Sequence, residues 1–176
     1  MGDNKVFVLR HGHIVRRDGI KYLDAEKYED QANYNIGLIR KHINPDKYEK
    51  LVFHTSEHPR CRDTAELIIS KLKKHHPNIK TEVVFDNNLD RWNSDKGEKR
   101  SHSFERSKKY GGVIKKMLEK TSKDICHFYF THCSVIFTLV EGILGKSIKK
   151  PTIKYGAIYV LNFKKHVISE ENIKKH

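Results

Sequence analysis

A three-layer α/β sandwich, with a mostly parallel central sheet flanked by helices, is the fold class this sequence predicts. Short apolar runs alternate with helical patterns along the chain, as they do in βα units. Basic and imidazole side chains follow directly after several of those runs, where open α/β sheets bind ligands. The 176 residues suit a single domain, 1–176, large enough to bury a core.

The first strand is expected at Val6 to Leu9, an unbroken apolar run of the kind a sheet buried on both faces requires. Ala25, Tyr28, Ala32, Ile36, Ile39 and Ile43 then recur at helical spacing, with Asp24 placed to cap the start and Asn44-Pro45 to stop the end. Leu51 to Phe53 reads as the second strand, followed by a helix from Arg60 to about Lys74. Val83 to Phe85 is the third strand, and the polar stretch Asn87 to His102, with no clear period, reads as a long loop. A helix from about Phe104 to Lys120, a strand at His127 to Phe130, and a helix from Val135 to Leu144 closed by Gly145 follow. Ala157 to Leu161 is the last strand.

A formal charge of +13, from 35 Lys and Arg against 22 Asp and Glu, attracts polyanions: phosphorylated metabolites, phosphoproteins, nucleic acid or acidic lipid. Nucleic acid rests on net charge alone, since the aromatic interleaving of a base-stacking surface is not evident. Clusters such as Lys71 to Lys74 and Lys146 to Lys150 read as solvated faces. Cys61, Cys126 and Cys133 show no paired spacing and no zinc pattern, so a reducing, cytoplasmic setting without a metal is expected. Cys133 reads as a small packing residue. No secretory leader, bilayer-spanning run or myristoylation signal is evident.

Three segments carry chemistry. Leu9-Arg10-His11-Gly12 brings a guanidinium fork and an imidazole to one strand end, a pairing suited to gripping a phosphate and attacking its phosphorus, with Gly12 letting the backbone turn tightly. Ser56 to Glu66 runs from a loop into a helix whose first turn is basic. That is unfavourable to the helix dipole unless an anion binds there with Arg60. Thr131-His132-Cys133-Ser134 enters another helix at its amide-rich end.

These segments resemble the three motifs of the histidine phosphatase superfamily, which includes the phosphoglycerate mutases. The opening Leu-x-Arg-His-Gly motif matches at Val8 to Gly12, the second at Ser56, Arg60, Thr64, Ala65 and Glu66, and the third at Phe128 to His132. The resemblance implies that His11 is the nucleophile, forming a phosphohistidine, that Arg10 and Arg60 clamp the phosphoryl oxygens, and that His132 completes the pocket. It implies no cofactor.

Departures from the family pattern mark the remaining candidates. His13 stands where Glu or Gln is frequent, Glu57 replaces a proline, and Cys133-Ser134 replaces glycines. Arg17 occupies the place of an asparagine that touches phosphate in some members. Gly12, His13, Arg17 and Ser134 are therefore candidate substrate-binding residues. The usual Leu-x-Glu acid is represented by Leu89-Asp90-Arg91, leaving Asp90 as the nearest carboxylate for a general acid. Short loops favour a phosphatase, acting on a phosphorylated small molecule or a phosphoprotein, over a mutase. A weakly active or non-catalytic phosphate-binding module is the alternative from another class, and the oligomeric state is not legible.

Overall fold

In the computed structural model, residues 5–92, 97–120, 124–148, 154–162 and, as backbone, 167–169 are described. Residues 93–96 of the expected loop, Lys149 and Lys150 of the basic cluster, and the chain's first four residues lie outside them. Among the described residues, eight strands and four α-helices run in the order β1 (Lys5–Arg10), β2 (Ile14–Arg17), β3 (Ile20–Leu23), α1 (Ala25–His42), β4 (Lys50–Thr55), α2 (Pro59–His75), β5 (Thr81–Phe85), α3 (Arg100–Lys120), β6 (Ile125–Thr131), α4 (Cys133–Leu144), β7 (Ile158–Asn162) and β8 (Val167–Ser169).

The main sheet has the order β5-β4-β6-β1-β7-β8. β5, β4, β6 and β1 run parallel, while β7 and β8 close the far edge antiparallel. The predicted α/β architecture therefore stands. Alternation along β1 sorts its side chains between two cores. Phe7 and Leu9 join the cluster under α1 and α2, and Val6 and Val8 join the one under α3 and α4. On the first face Phe53, Phe128 and Phe7 are register neighbours across β4, β6 and β1. Their rings stack with centroids 4.7 Å apart in both pairs, which ties together the three strands whose carboxyl ends carry the motifs.

Helix limits follow their caps. Asp24 accepts from the Lys27 amide at 3.3 Å, satisfying one of the orphan donors of the first turn, and Gly145 takes the left-handed conformation that ends α4. α3 and α4 approach so closely that a Cβ on Gly142 would collide with the Lys108 carbonyl. This packing fixes α4, and with it the residues at the helix's start.

Several expectations need correction. Residues 14–23 fold as the hairpin β2-β3, which turns through Asp18 and Gly19, both at positive φ. Asp-Gly between two β-prone runs is a hairpin signal in its own right, and it accounts for this missed element. The expected loop after β5 is shorter than predicted, since Asn87–Leu89 form a 3-10 turn and α3 begins at Arg100. β5 is an edge strand, so Val83 and Phe85 are exposed.

Candidate phosphate-binding site

The carboxyl ends of β1, β4 and β6 converge on a cavity of about 220 Å³. Arg10, His11, Ile14, Lys21, Arg60, Arg91, Trp92, Arg100, His132, Cys133, Ser134 and Tyr155 line it. Among the predicted residues, Arg10, His11, Arg60, His132 and Ser134 are thus brought together. Gly12, His13, Arg17 and Asp90 are not among the lining residues.

His11 is buried, and its Nδ1 lies 2.9 Å from the Gly12 carbonyl oxygen. A carbonyl only accepts, so Nδ1 carries the proton and Nε2 keeps its lone pair. Burial, reinforced by the Arg60 and Arg10 charges and only partly opposed by that hydrogen bond, pushes the imidazole down to about 3. It is neutral over the physiological range.

Gly12 is required for a reason other than turn conformation: a Cβ there would stand 2.5 Å from Tyr28 Cγ. Its amide donates to Thr64 Oγ1 at 3.0 Å, and Thr64 in turn donates to the Arg60 carbonyl at 2.6 Å. The strand that delivers His11 and the helix that delivers Arg60 are therefore joined by one hydroxyl, which is the physical content of the four-residue spacing from Arg60 to Thr64.

His132 caps α4 through its backbone and is almost fully buried. Arg60 Nη2 lies 3.1 Å from His132 Nδ1. Arginine only donates, so Nδ1 is the acceptor and the proton of the neutral ring sits on Nε2, which faces Ser56 Oγ at 3.2 Å. Ser56 Oγ donates its own hydrogen bond to Asp90. Burial first, then the positive charge of Arg60, holds the His132 ring far below the ordinary histidine range. The result is a chain Arg60–His132–Ser56–Asp90 in which each donor meets an acceptor.

Asp90 accordingly stands behind His132. Its backbone carbonyl accepts from Arg106 at 2.7 Å, and the preceding Leu89 carbonyl accepts from Thr131 Oγ1 at 2.6 Å. Arg17 is exposed at the tip of the hairpin. Alternation turns its side chain to the opposite face from Ile14 and Lys21, which line the cavity in its place. His13 stands against Tyr155, ring centroids 5.1 Å apart. Cys133 is exposed and lines the cavity, and the small thiol packed against His132 is Cys61 instead, 3.6 Å from Nε2.

Lys21, Arg91, Trp92, Arg100 and Tyr155 were not predicted as site residues. Arg10 lies 4.0 Å over the Tyr155 ring and Arg91 3.9 Å over that of Trp92, contacts that hold each guanidinium without neutralising it. The cavity is therefore lined by Arg10, Lys21, Arg60, Arg91 and Arg100 with no carboxylate among its described lining residues. Ser134 Oγ, buried and without a hydrogen-bond partner, and the amide end of α4 add neutral donors. Such a surface suits a multiply charged anion.

No protein-family model and no curated protein sequence matches the chain. Solved structures do match its fold. Phosphoglycerate mutase from Bacillus anthracis superposes with a TM-score of 0.62 at 17% identity, covering 98% of this chain and 94% of that one. Phosphoserine phosphatase from Entamoeba histolytica in complex with 3-phosphoglyceric acid gives 0.60 at 15% identity, covering 98% of both. A mycobacterial glucosyl-3-phosphoglycerate phosphatase gives 0.55 at 14% identity, covering 90% of both. The fold is thus phosphoglycerate mutase-like, as the sequence motifs implied.

The buried neutral His11 links the site to stability. Its folded value near 3 lies below the 6.5 of an unperturbed imidazole, so the unfolded chain takes up the proton first. Stability is full above pH 6.5 and declines as pH falls towards 3, by about 2 kcal/mol at pH 5 for one such group. Denaturant titrations at pH 7 and pH 5 should therefore show a smaller loss in His11→Asn than in the wild type. An identical loss would mean that His11 is not held neutral.

Proposed function

We propose that this chain is a histidine phosphatase that hydrolyses phosphomonoesters through a phosphohistidine on His11. The observation that carries the reading is the hydrogen bond from His11 Nδ1 to the Gly12 carbonyl oxygen, which leaves Nε2 as an unprotonated nucleophile in a cavity lined by cations. Nε2 attacks phosphorus as the ester P–O bond breaks. The leaving oxygen departs with that electron pair and takes a proton from solvent. Water then attacks the phosphohistidine, giving inorganic phosphate and neutral His11. Arg10 and Arg60 balance the charge on the phosphoryl oxygens, Ser134 Oγ and the first amides of α4 add donors, and no step calls for a metal.

Asp90 takes a different part from the general acid expected of it. Its carboxylate accepts from Ser56 behind His132, so it acts on the reaction by holding the His132 tautomer. The substrate then supplies its own good leaving group, as an aryl phosphate or a protein phosphohistidine does. A specific observation favours a second anionic group on the substrate: Lys21, Arg91 and Arg100 line the cavity beyond the two arginines that a phosphoryl group uses. This feature also suits the alternative of mutase-type transfer on a phosphorylated sugar acid, and 3-phosphoglyceric acid is the molecule bound in the Entamoeba neighbour.

Hydrolysis of para-nitrophenyl phosphate tests the reading. The wild type should turn over and His11→Ala should lose activity by about 10³-fold or more. Equal rates would remove His11 as the nucleophile. With 3-phosphoglycerate, followed by release of inorganic phosphate, a lower KM than for the aryl ester is expected from the additional cations.

A comparison of alkyl and aryl phosphates decides the part of Asp90. Asp90→Asn should slow both classes by the same factor, whereas selective slowing of the alkyl esters would restore Asp90 as the proton donor.

A further inference from the structure

His58, Asp90 and His132 form a cluster that the phosphatase reaction does not use as a unit. His58 is the N-cap of α2, yet its side chain makes no capping bond. Its ring stands edge-on to that of His132, with centroids 5.2 Å apart and planes at 82°. One nitrogen from each imidazole and one carboxylate oxygen of Asp90 lie within 4.8 Å of one another. Ser56 Oγ sits among them, donating to Asp90 and lying 3.2 Å from His132 Nε2. Two imidazoles and a carboxylate are a donor set that zinc-class ions accept, with a fourth position left for water.

We propose that His58, Asp90 and the Nε2 edge of His132 bind a divalent transition-metal ion of the zinc class, and that its binding silences the phosphate site. Metal–nitrogen bonds of about 2.0–2.1 Å put tetrahedral ligands roughly 3.4 Å apart. The cluster must therefore contract by about an ångström from its outer limit, through rotation of the half-buried His58 and Asp90. A metal on Nε2 needs the lone pair there, so the proton moves to Nδ1. There it faces Arg60 Nη2, donor against donor, and the bond that joins the two phosphate-binding groups breaks. Ser56 also loses its carboxylate partner. Arg60 and Arg91 oppose a nearby dication and the Asp90 carboxylate offsets part of their effect, which favours an ion that forms strong bonds to nitrogen over Mg²⁺.

The silencing rests on the phosphatase reading, whereas the binding does not. Titration of the full chain with zinc sulfate in phosphate-free buffer, followed by calorimetry, tests the binding directly. Because the chain has 12 histidines, the readout is a difference: His58→Phe, which keeps an aromatic edge against His132, should lose one equivalent. His58→Gln provides a second variant of smaller bulk. In the activity arm, micromolar zinc should inhibit the wild type, a chelator should restore it, and Mg²⁺ should have no effect. The zinc concentration for half-inhibition should rise by about tenfold or more in His58→Phe, whose metal-free turnover should match the wild type. The same stoichiometry and affinity in all three proteins would overturn the site, and equal inhibition of wild type and variants would overturn its control of activity. A wild type with no turnover would refute the phosphatase reading alone, since the difference in bound zinc still decides the site.

Discussion

One hydrogen bond, from His11 Nδ1 to the Gly12 carbonyl oxygen, sets what the rest of the site can do. It fixes which ring nitrogen keeps its lone pair, and it holds only while the backbone at Gly12 stays in place. Tyr28 presses against Gly12 so closely that no side chain fits, and the Gly12 amide is anchored to Thr64. Tyr28 is itself held by Asn35, whose amide donates to the Tyr28 hydroxyl at 3.0 Å and to the Gly156 carbonyl at 2.9 Å. Helices α1 and α2 and the start of β7 therefore all bear on the orientation of a single imidazole.

A second constraint is electrostatic. Five cationic side chains around one small cavity repel one another, and burial adds to the strain: Arg60, almost fully buried, is held below the ordinary arginine range by desolvation first. The arrangement persists because neutral groups separate and hold the charges. His132 accepts from Arg60 in place of a carboxylate, and Tyr155 and Trp92 present ring faces to Arg10 and Arg91. A carboxylate partner would have stabilised each guanidinium more, but it would also have competed with phosphate for the same donors. A site of this composition suits an anionic partner.

The strands and helices of the sandwich were legible because their apolar spacing is regular, and Arg10, His11, Arg60 and His132 were legible because each directly follows, or opens the helix after, a buried strand. The hairpin escaped because its side chains are only half buried, so the Asp18-Gly19 turn was its main signal. Lys21 went unnoticed with it. Arg17 was misplaced for the same reason: without the hairpin, nothing indicated which face of the strand it would occupy. Arg91, Trp92 and Arg100 lie in a segment without periodicity, so no pattern singled them out, and the Thr131 bond to the Leu89 carbonyl just before Arg91 is a tertiary contact with no local trace. Asp90 was read as the proton donor, but a sequence cannot tell a carboxylate aimed at substrate from one aimed at Ser56.

The central claim is that His11 Nε2 receives the phosphoryl group. Rapid mixing with a phosphomonoester, quenching at alkaline pH to preserve phosphohistidine, and mapping of the modified peptide by mass spectrometry test it most directly. The expected result is a phosphate on His11 that is acid-labile and decays on further incubation. Phosphate on another residue, or full turnover with no trapped phosphohistidine in both wild type and His11→Ala, would contradict it.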